Sequence, residues 1–246
     1  MAAIALLTGA SGGLGQAVAA ELQQEGWAVA LVGRSEERLR SIYGPEALCI
    51  AADVSTSEGA KAAVMRCQQQ AGLPTALAHC AGTTLLSPLH RTTPEIYRAC
   101  LTANLDSAFF TLGAFVEALR EAREPGAAVL VSSVVARIGV ANHEAIAAAK
   151  AGVEGLTRSA AATYAPSRIR VNAVAPGIMD TPAVARIIGN DASRAGAAKQ
   201  YPLPGIGNPA DLAQLMTWLL SEKAGWITGQ VWAMDGGFSS IRPLVK

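Results

Sequence analysis

The chain has 246 residues, 51% of them hydrophobic and 16% charged, so it can bury a sizeable core. Its formal charge is +1 with acids and bases interspersed, which excludes a basic nucleic-acid stripe and an acidic solvated tail. Four cysteines (Cys49, Cys67, Cys80, Cys100) form no CxxC pair and no His/Cys/carboxylate cluster has metal spacing, so free thiols, a cytoplasmic setting and no metal site are expected. The first seven residues are apolar but too short and uncharged for a signal peptide, and read as a buried strand. No run reaches the roughly 18 apolar residues of a membrane span. In chain order, strands are expected at 4–8, 28–32, 47–51, 76–79, 127–132, 170–175 and 231–234. Amphipathic helices are expected between them at 14–24, 36–42, 57–70, 94–120, 144–164 and 210–220. Several strands are apolar without alternation, as strands covered on both faces are. This order predicts an α/β chain with a parallel sheet of about seven strands and helices on both faces. With no linker and no repeat, residues 1–246 read as one domain. Residues 181–207 break the rhythm, being rich in Gly, Ala and Pro, and are either a lid or a loosely packed surface loop.

The first strand runs into Thr8-Gly9-Ala10-Ser11-Gly12-Gly13-Leu14-Gly15, with a helix after it. Glycine tolerates the positive φ of so tight a turn and lets the backbone approach a pyrophosphate at the positive helix N-terminus. The pattern Thr-Gly-x-x-x-Gly-x-Gly, on Thr8, Gly9, Gly13 and Gly15, resembles the signature of the short-chain dehydrogenase/reductases, in the manner of the 3-oxoacyl carrier-protein reductases. The likeness covers nearly the whole chain. It implies a Rossmann-like doubly wound sheet, a nicotinamide dinucleotide cofactor, a small-molecule carbonyl or alcohol substrate, and a homo-oligomer (tetramer or dimer) built on the long central helices and the C-terminal strand. Neither nucleic acid nor membrane is an expected partner. By resemblance Ser11 and Leu14 join the phosphate turn, and Asp53-Val54 contact adenine. Cys80-Ala81-Gly82 stands for the family's Asn-Ala-Gly. Pro176, Gly177, Ile178 and Thr181 form the nicotinamide-side loop, and Gly229-Gln230-Val231 with Asp235-Gly236-Gly237 is the C-terminal strand and turn.

The second strand ends Gly33-Arg34-Ser35. An acid there would bind the adenosine ribose 2′-hydroxyl and repel a 2′-phosphate. Arg34 offers a guanidinium fork that suits a phosphate and Ser35 a hydroxyl donor, which favours NADP over NAD. The plain alternative is that Arg34 is a solvated helix-start residue.

In the resembled family a tyrosine protonates the carbonyl oxygen as hydride arrives. A lysine four residues on holds the nicotinamide ribose, a serine hydrogen-bonds the substrate oxygen, and an asparagine anchors a relay water. Lys150, Ser133 and Asn104 occupy the last three places. Counting back four from Lys150 and forward thirteen from Ser133 both reach Ile146, which has no proton to give. General acid–base help is worth about 10²–10⁴ in rate. His143 lies on the same helical stripe, three residues before Ile146, and is a substitute donor or a polar pocket wall. Asn142 reads as the helix N-cap beside it. Tyr201, inside the lid segment, is a second substitute whose alternative is packing. His79 and Cys80 read as core residues, with Cys80 alternatively a reactive thiol. Three readings follow. The chain is a working oxidoreductase whose proton comes from water or His143, a nucleotide-binding pseudoenzyme acting as sensor or scaffold, or a reductase of activated carbon–carbon double bonds. The face Gly152, Val153, Leu156, Ala160, Tyr164 suits either a helix–helix interface or core packing.

Overall fold

The structure, a computed structural model, describes residues 3–242; Met1 and Ala2 of the first apolar run lie outside them. Seven strands form one parallel sheet: β1 (Ile4–Thr8), β2 (Ala28–Gly33), β3 (Cys49–Ala51), β4 (Ala76–His79), β5 (Gly126–Val131), β6 (Ile169–Pro176) and β7 (Val231–Met234). Their order is β3-β2-β1-β4-β5-β6-β7, the Rossmann-like doubly wound arrangement. The chain builds outward from β1 in one direction, then restarts beside β1 with β4. A crevice therefore opens at the carboxyl ends of β1 and β4, where such sheets bind ligands.

The long helices are α1 (Gly13–Gln24), α2 (Glu36–Tyr43), α3 (Ser57–Gln70), α4 (Pro94–Leu101), α5 (Ser107–Ala122) and α6 (Glu144–Tyr164). Two short helices, α7 (Ala185–Ile188) and α8 (Asp191–Ala198), precede α9 (Pro209–Leu220). One core layer packs Val64, Phe115, Leu119 and Val153 against Leu6 and Leu77; the other packs Val18, Leu22, Leu212 and Met216 against Leu7 and Ala78. Neighbouring strand residues thus enter opposite layers, and both layers are apolar, which is why the strands lack alternation. Val153 and Ala160 of the small apolar α6 face belong to the first layer. A Cβ on Gly152 would come within 2.9 Å of Leu105, and Leu156 and Tyr164 of this face are partly buried against the same layer.

Residues 181–207, expected as a lid or a loosely packed loop, contain α7 and α8, and three further elements depart from the sequence-based expectation. β3 starts at Cys49 rather than at 47, because Ala47 donates back to the Gly44 carbonyl in a turn. Asn142 is not the N-cap of α6: it adopts a left-handed conformation (φ 64°), which asparagine tolerates, and His143 takes the cap position. The helix expected at 94–120 runs unbroken from Pro94 to Ala122 but widens into a π turn at Thr102–Asp106. By length and composition it is the one described helix able to cross a membrane. Half of its most apolar stretch is buried inside the molecule, the pattern of a core helix.

Candidate active site

Side-chain caps close most helix starts: Ser35 accepts from the Arg38 amide, Thr56 from Gly59, Thr93 from Ile96 and Asn208 from Ala210. At α1 neither a side-chain cap nor a first-turn carboxylate is present, so its first amides face the crevice open. Gly9 (φ 67°) could carry no side chain, since a Cβ would lie 2.6 Å from the Cys80 and Ala81 backbone. At Gly15 a Cβ would lie 2.3 Å from the Gly9 carbonyl, and at Gly13 within 3.0 Å of Thr181 and Pro182. The turn Thr8–Gly15 is thus a bare-backbone cradle pressed against Cys80-Ala81, with Thr181 across its mouth. Those open amides and missing side chains fit a dinucleotide pyrophosphate.

Hydrogen bonds fix the cradle from behind. Buried Thr8 pairs with His79 Nδ1 at 2.9 Å, and His79 Nε2 with Ser107 Oγ at 3.2 Å, whose hydroxyl donates to the Ala103 carbonyl at 2.8 Å. Ser107 has one proton and gives it to Ala103, so His79 must carry its hydrogen on Nε2 and accept from Thr8. Burial, reinforced by Lys150, pulls the His79 pKa down to about 3. His79 is therefore a neutral core residue that links the phosphate turn to the π turn. Tyr43 Oη donates to the Ala10 carbonyl at 2.6 Å, a support that no motif in the sequence announces. At the rim, Arg34 is exposed and the Ser35 hydroxyl caps α2. Asp53 accepts from the Ser55 amide (3.1 Å) and hydroxyl (2.7 Å), which lowers its pKa, while Val54 is buried.

A cavity of about 360 Å³ opens beyond the cradle. Its walls bring together Leu14, Asn104, Ser133, His143, Ile146 and Lys150. The Cys80–Gly82 and Pro176–Ile178 backbones and Thr181 complete the side toward the cradle. Lys150 is 7% exposed and donates to the Val131 carbonyl at 2.8 Å. Burial holds its pKa down to about 8. Gly82 leaves room for it, since a Cβ there would lie 2.7 Å from Asn104 Oδ1 and 3.4 Å from Lys150 Nζ. Asn104 sits in the π turn, where its Oδ1 accepts from the Thr83 amide (3.1 Å) and its Nδ2 donates to the Cys100 carbonyl (2.9 Å). Its side chain thereby straps the loop after β4 to α4. Ser133 Oγ faces the cavity and accepts weakly from the Val135 amide at 3.4 Å, leaving its proton free. Ile146 is 6% exposed and packs with Cys100, Ala145 and Ala149. Cys80 borders the cavity, but burial raises its thiol pKa to about 12, so the reactive thiolate form is disfavoured.

Two further side chains on this cavity carry exchangeable protons. His143 Nδ1 lies 2.7 Å from the Ala141 carbonyl. A carbonyl only accepts, so a neutral His143 has its one N–H engaged there and a bare Nε2. Tyr201, whose place no local pattern could fix, stands on the same cavity wall as Gly177 and Ile178. Below Ser133 and Lys150, buried Glu154 accepts from Arg137 Nε at 3.0 Å and Ser132 Oγ at 3.2 Å, and Arg137 also donates to the Val231 carbonyl. No group of three or more His, Cys, Asp or Glu poised for a metal occurs among the described residues.

A doubly wound sheet with a glycine cradle at its switch point defines a dinucleotide-binding α/β protein. The family comparison is more specific. Residues 9–239 match the family model described as "Enoyl-(Acyl carrier protein) reductase". The chain is 34% identical to cis-4-hydroxycyclohexanecarboxylate dehydrogenase of Sinomonas cyclohexanicum, over 97% of both chains. It is 33% identical to the 3-oxoacyl-[acyl-carrier-protein] reductase of Pseudomonas aeruginosa, over 95% of this chain and 96% of that one. Among solved structures it superposes on ElxO with NADP bound at a TM-score of 0.91 and 26% identity, covering 98% of this chain and 100% of the other. The chain belongs to the short-chain dehydrogenase/reductase family.

Proposed function

We propose that this chain is an NAD(P)-dependent oxidoreductase that interconverts a small-molecule alcohol and its carbonyl, with no phenol at position 146. The observation that carries this reading is the convergence of Ser133, Lys150 and Asn104 on one cavity beside an open glycine cradle. Thr8, Gly9, Ser11, Gly13, Leu14 and Gly15 would hold the pyrophosphate side. Asp53 and Val54 would hold the adenine, and Cys80, Ala81, Gly82, Pro176, Gly177, Ile178 and Thr181 the nicotinamide side. When bound, the nicotinamide supplies or accepts hydride. Lys150 keeps N–H groups beyond its bond to Val131 for the ribose, and Ser133 keeps a proton for the substrate oxygen. Exposed Arg34, with no acid at the end of β2, favours NADP. The mostly apolar cavity and the names of two relatives, cis-4-hydroxycyclohexanecarboxylate dehydrogenase and cyclohexanol dehydrogenase, favour compact cyclic alcohols and ketones.

Residues 181–207 act as the lid in this reading. The Asp180–Arg194 ion pair and the Thr84 bond to the Ala183 carbonyl (3.2 Å) would hold it closed. Edge strand β7 with exposed Trp232, and exposed Phe109 on α5, support assembly into a dimer or tetramer. The free thiols support a reducing, cytoplasmic setting within one domain.

Ile146 itself favours the second reading, a nucleotide-binding pseudoenzyme. NADPH binding by fluorescence, and NADPH oxidation with simple ketones led by cyclohexanone, separate the two when run alongside Ile146→Tyr. Wild type that binds NADPH and never oxidises it, while Ile146→Tyr turns over, refutes the oxidoreductase reading.

A further inference from the structure

Tyr201 follows α8, and its ring is held on three sides. A Cβ on Gly177 would come within 2.8 Å of Tyr201 Cε1, so the phenol edge of the ring packs against that glycine. Phe238 stacks on it with centroids 5.2 Å apart, and the Leu203 amide docks the following segment on the Gly236 carbonyl at 2.9 Å. The phenol oxygen accepts the Ile178 amide at 2.7 Å. No acceptor takes its own proton among the described residues, and Tyr201 lines the cavity that contains Ser133, Ile146 and Lys150. Burial raises its pKa, keeping the proton on at neutral pH.

Of the two substitutes, His143 has its Nδ1 hydrogen-bonded to the Ala141 carbonyl, whereas the Tyr201 hydroxyl proton has no acceptor among the described residues. We propose that Tyr201 is the proton donor of this site, a phenol supplied from the lid side of the cavity in place of the one missing at Ile146. This rests on the oxidoreductase reading. As hydride from bound NADPH reaches the carbonyl carbon, the Tyr201 O–H bond breaks and an O–H bond forms on the substrate oxygen. The resulting tyrosinate stays bonded to the Ile178 amide, an anion stabiliser already in place, and is reprotonated from water. In the oxidising direction the same oxygen receives the alcohol proton.

The test uses wild type, Tyr201→Phe, Ile146→Tyr and the Ile146→Tyr/Tyr201→Phe double variant, with NADPH and cyclohexanone as probes. Phenylalanine keeps the ring against Gly177 and Phe238 and removes only the hydroxyl. In Tyr201→Phe, kcat should fall about 100-fold or more, the usual worth of general acid help, with NADPH Kd within about twofold of wild type. In the nucleotide-free protein, the ultraviolet tyrosinate titration should lose one phenol of raised pKa. The double variant should regain turnover, because a phenol at 146 restores a donor but cannot replace Tyr201 as a strut for Ile178. Unchanged kcat in Tyr201→Phe overturns the donor role alone. A double variant that stays dead while Ile146→Tyr is active overturns it in favour of a structural role. Wild type inert toward every ketone overturns both this inference and the oxidoreductase reading.

Discussion

Lys150→Met should make the nucleotide-free protein more stable. In the fold Lys150 is buried and its pKa falls from 10.5 to about 8. At pH 7 the ammonium is charged in both folded and unfolded chains, so the whole burial penalty is present, about 3 kcal/mol. Methionine removes that penalty but also the 2.8 Å bond from the charged ammonium to the Val131 carbonyl, worth about 2 kcal/mol, leaving a gain of about 1 kcal/mol. In a chain of this size that raises Tm by about 2–4 °C. Between about pH 8 and 10.5 the unfolded chain keeps a proton the folded chain has released. Wild-type stability attributable to Lys150 therefore rises with pH, and the methionine variant's advantage should be about 1 kcal/mol smaller at pH 9 than at pH 7. Cys67 and Cys80, raised to about 11 and about 12 by burial, act oppositely above pH 9 because the unfolded thiols ionise first. Both proteins contain them, so the difference between urea curves at pH 7 and pH 9 isolates Lys150. A variant no more stable than wild type at pH 7, or an advantage that does not shrink at pH 9, would refute this reasoning.

Gly9→Ala places a Cβ 2.6 Å from the Cys80 and Ala81 backbone at φ 67°, so stability should fall by about 2 kcal/mol or more, seen in the urea midpoint, and NADPH binding should be lost. Arg34→Ala should weaken NADPH by about 10- to 100-fold, the worth of a charge-assisted bond to phosphate, and NADH far less; equal losses in titration calorimetry would exclude a phosphate clamp. Glu154→Gln keeps the shape but takes the charge from the Arg137 bond at 3.0 Å, and should cost about 1–2 kcal/mol in urea unfolding at pH 7.

Much of the fold was legible because its signals are local. Leu6 and Leu7 face opposite apolar layers, so β1 reads as a doubly covered strand. The same logic located β4 to the residue, the apolar run Val231–Met234 located the edge strand β7, and Thr56 marks the start of α3. Ile146 was found by counting because an interval of four on α6 keeps it beside Lys150 on one cavity wall. What escaped depends on distant partners. The Tyr43 bond to Ala10 joins α2 to the glycine turn, and the Tyr201 bond to Ile178 joins residues 23 positions apart. Neither leaves a trace in spacing. The turn of β3 at Ala47 and the left-handed Asn142 are single-residue backbone choices, below the reach of periodicity.

The π turn at Thr102–Asp106 constrains how the gene can change. A π turn holds one residue more than an α turn, so losing one residue there closes it to an ordinary α turn and keeps Phe115 and Leu119 on the sheet and Cys100 beside Ile146. Losing one residue elsewhere in the helix rotates all that follows by about 100°. A library of single-codon deletions across residues 94–122 should show its best-tolerated window in folded product at 102–106.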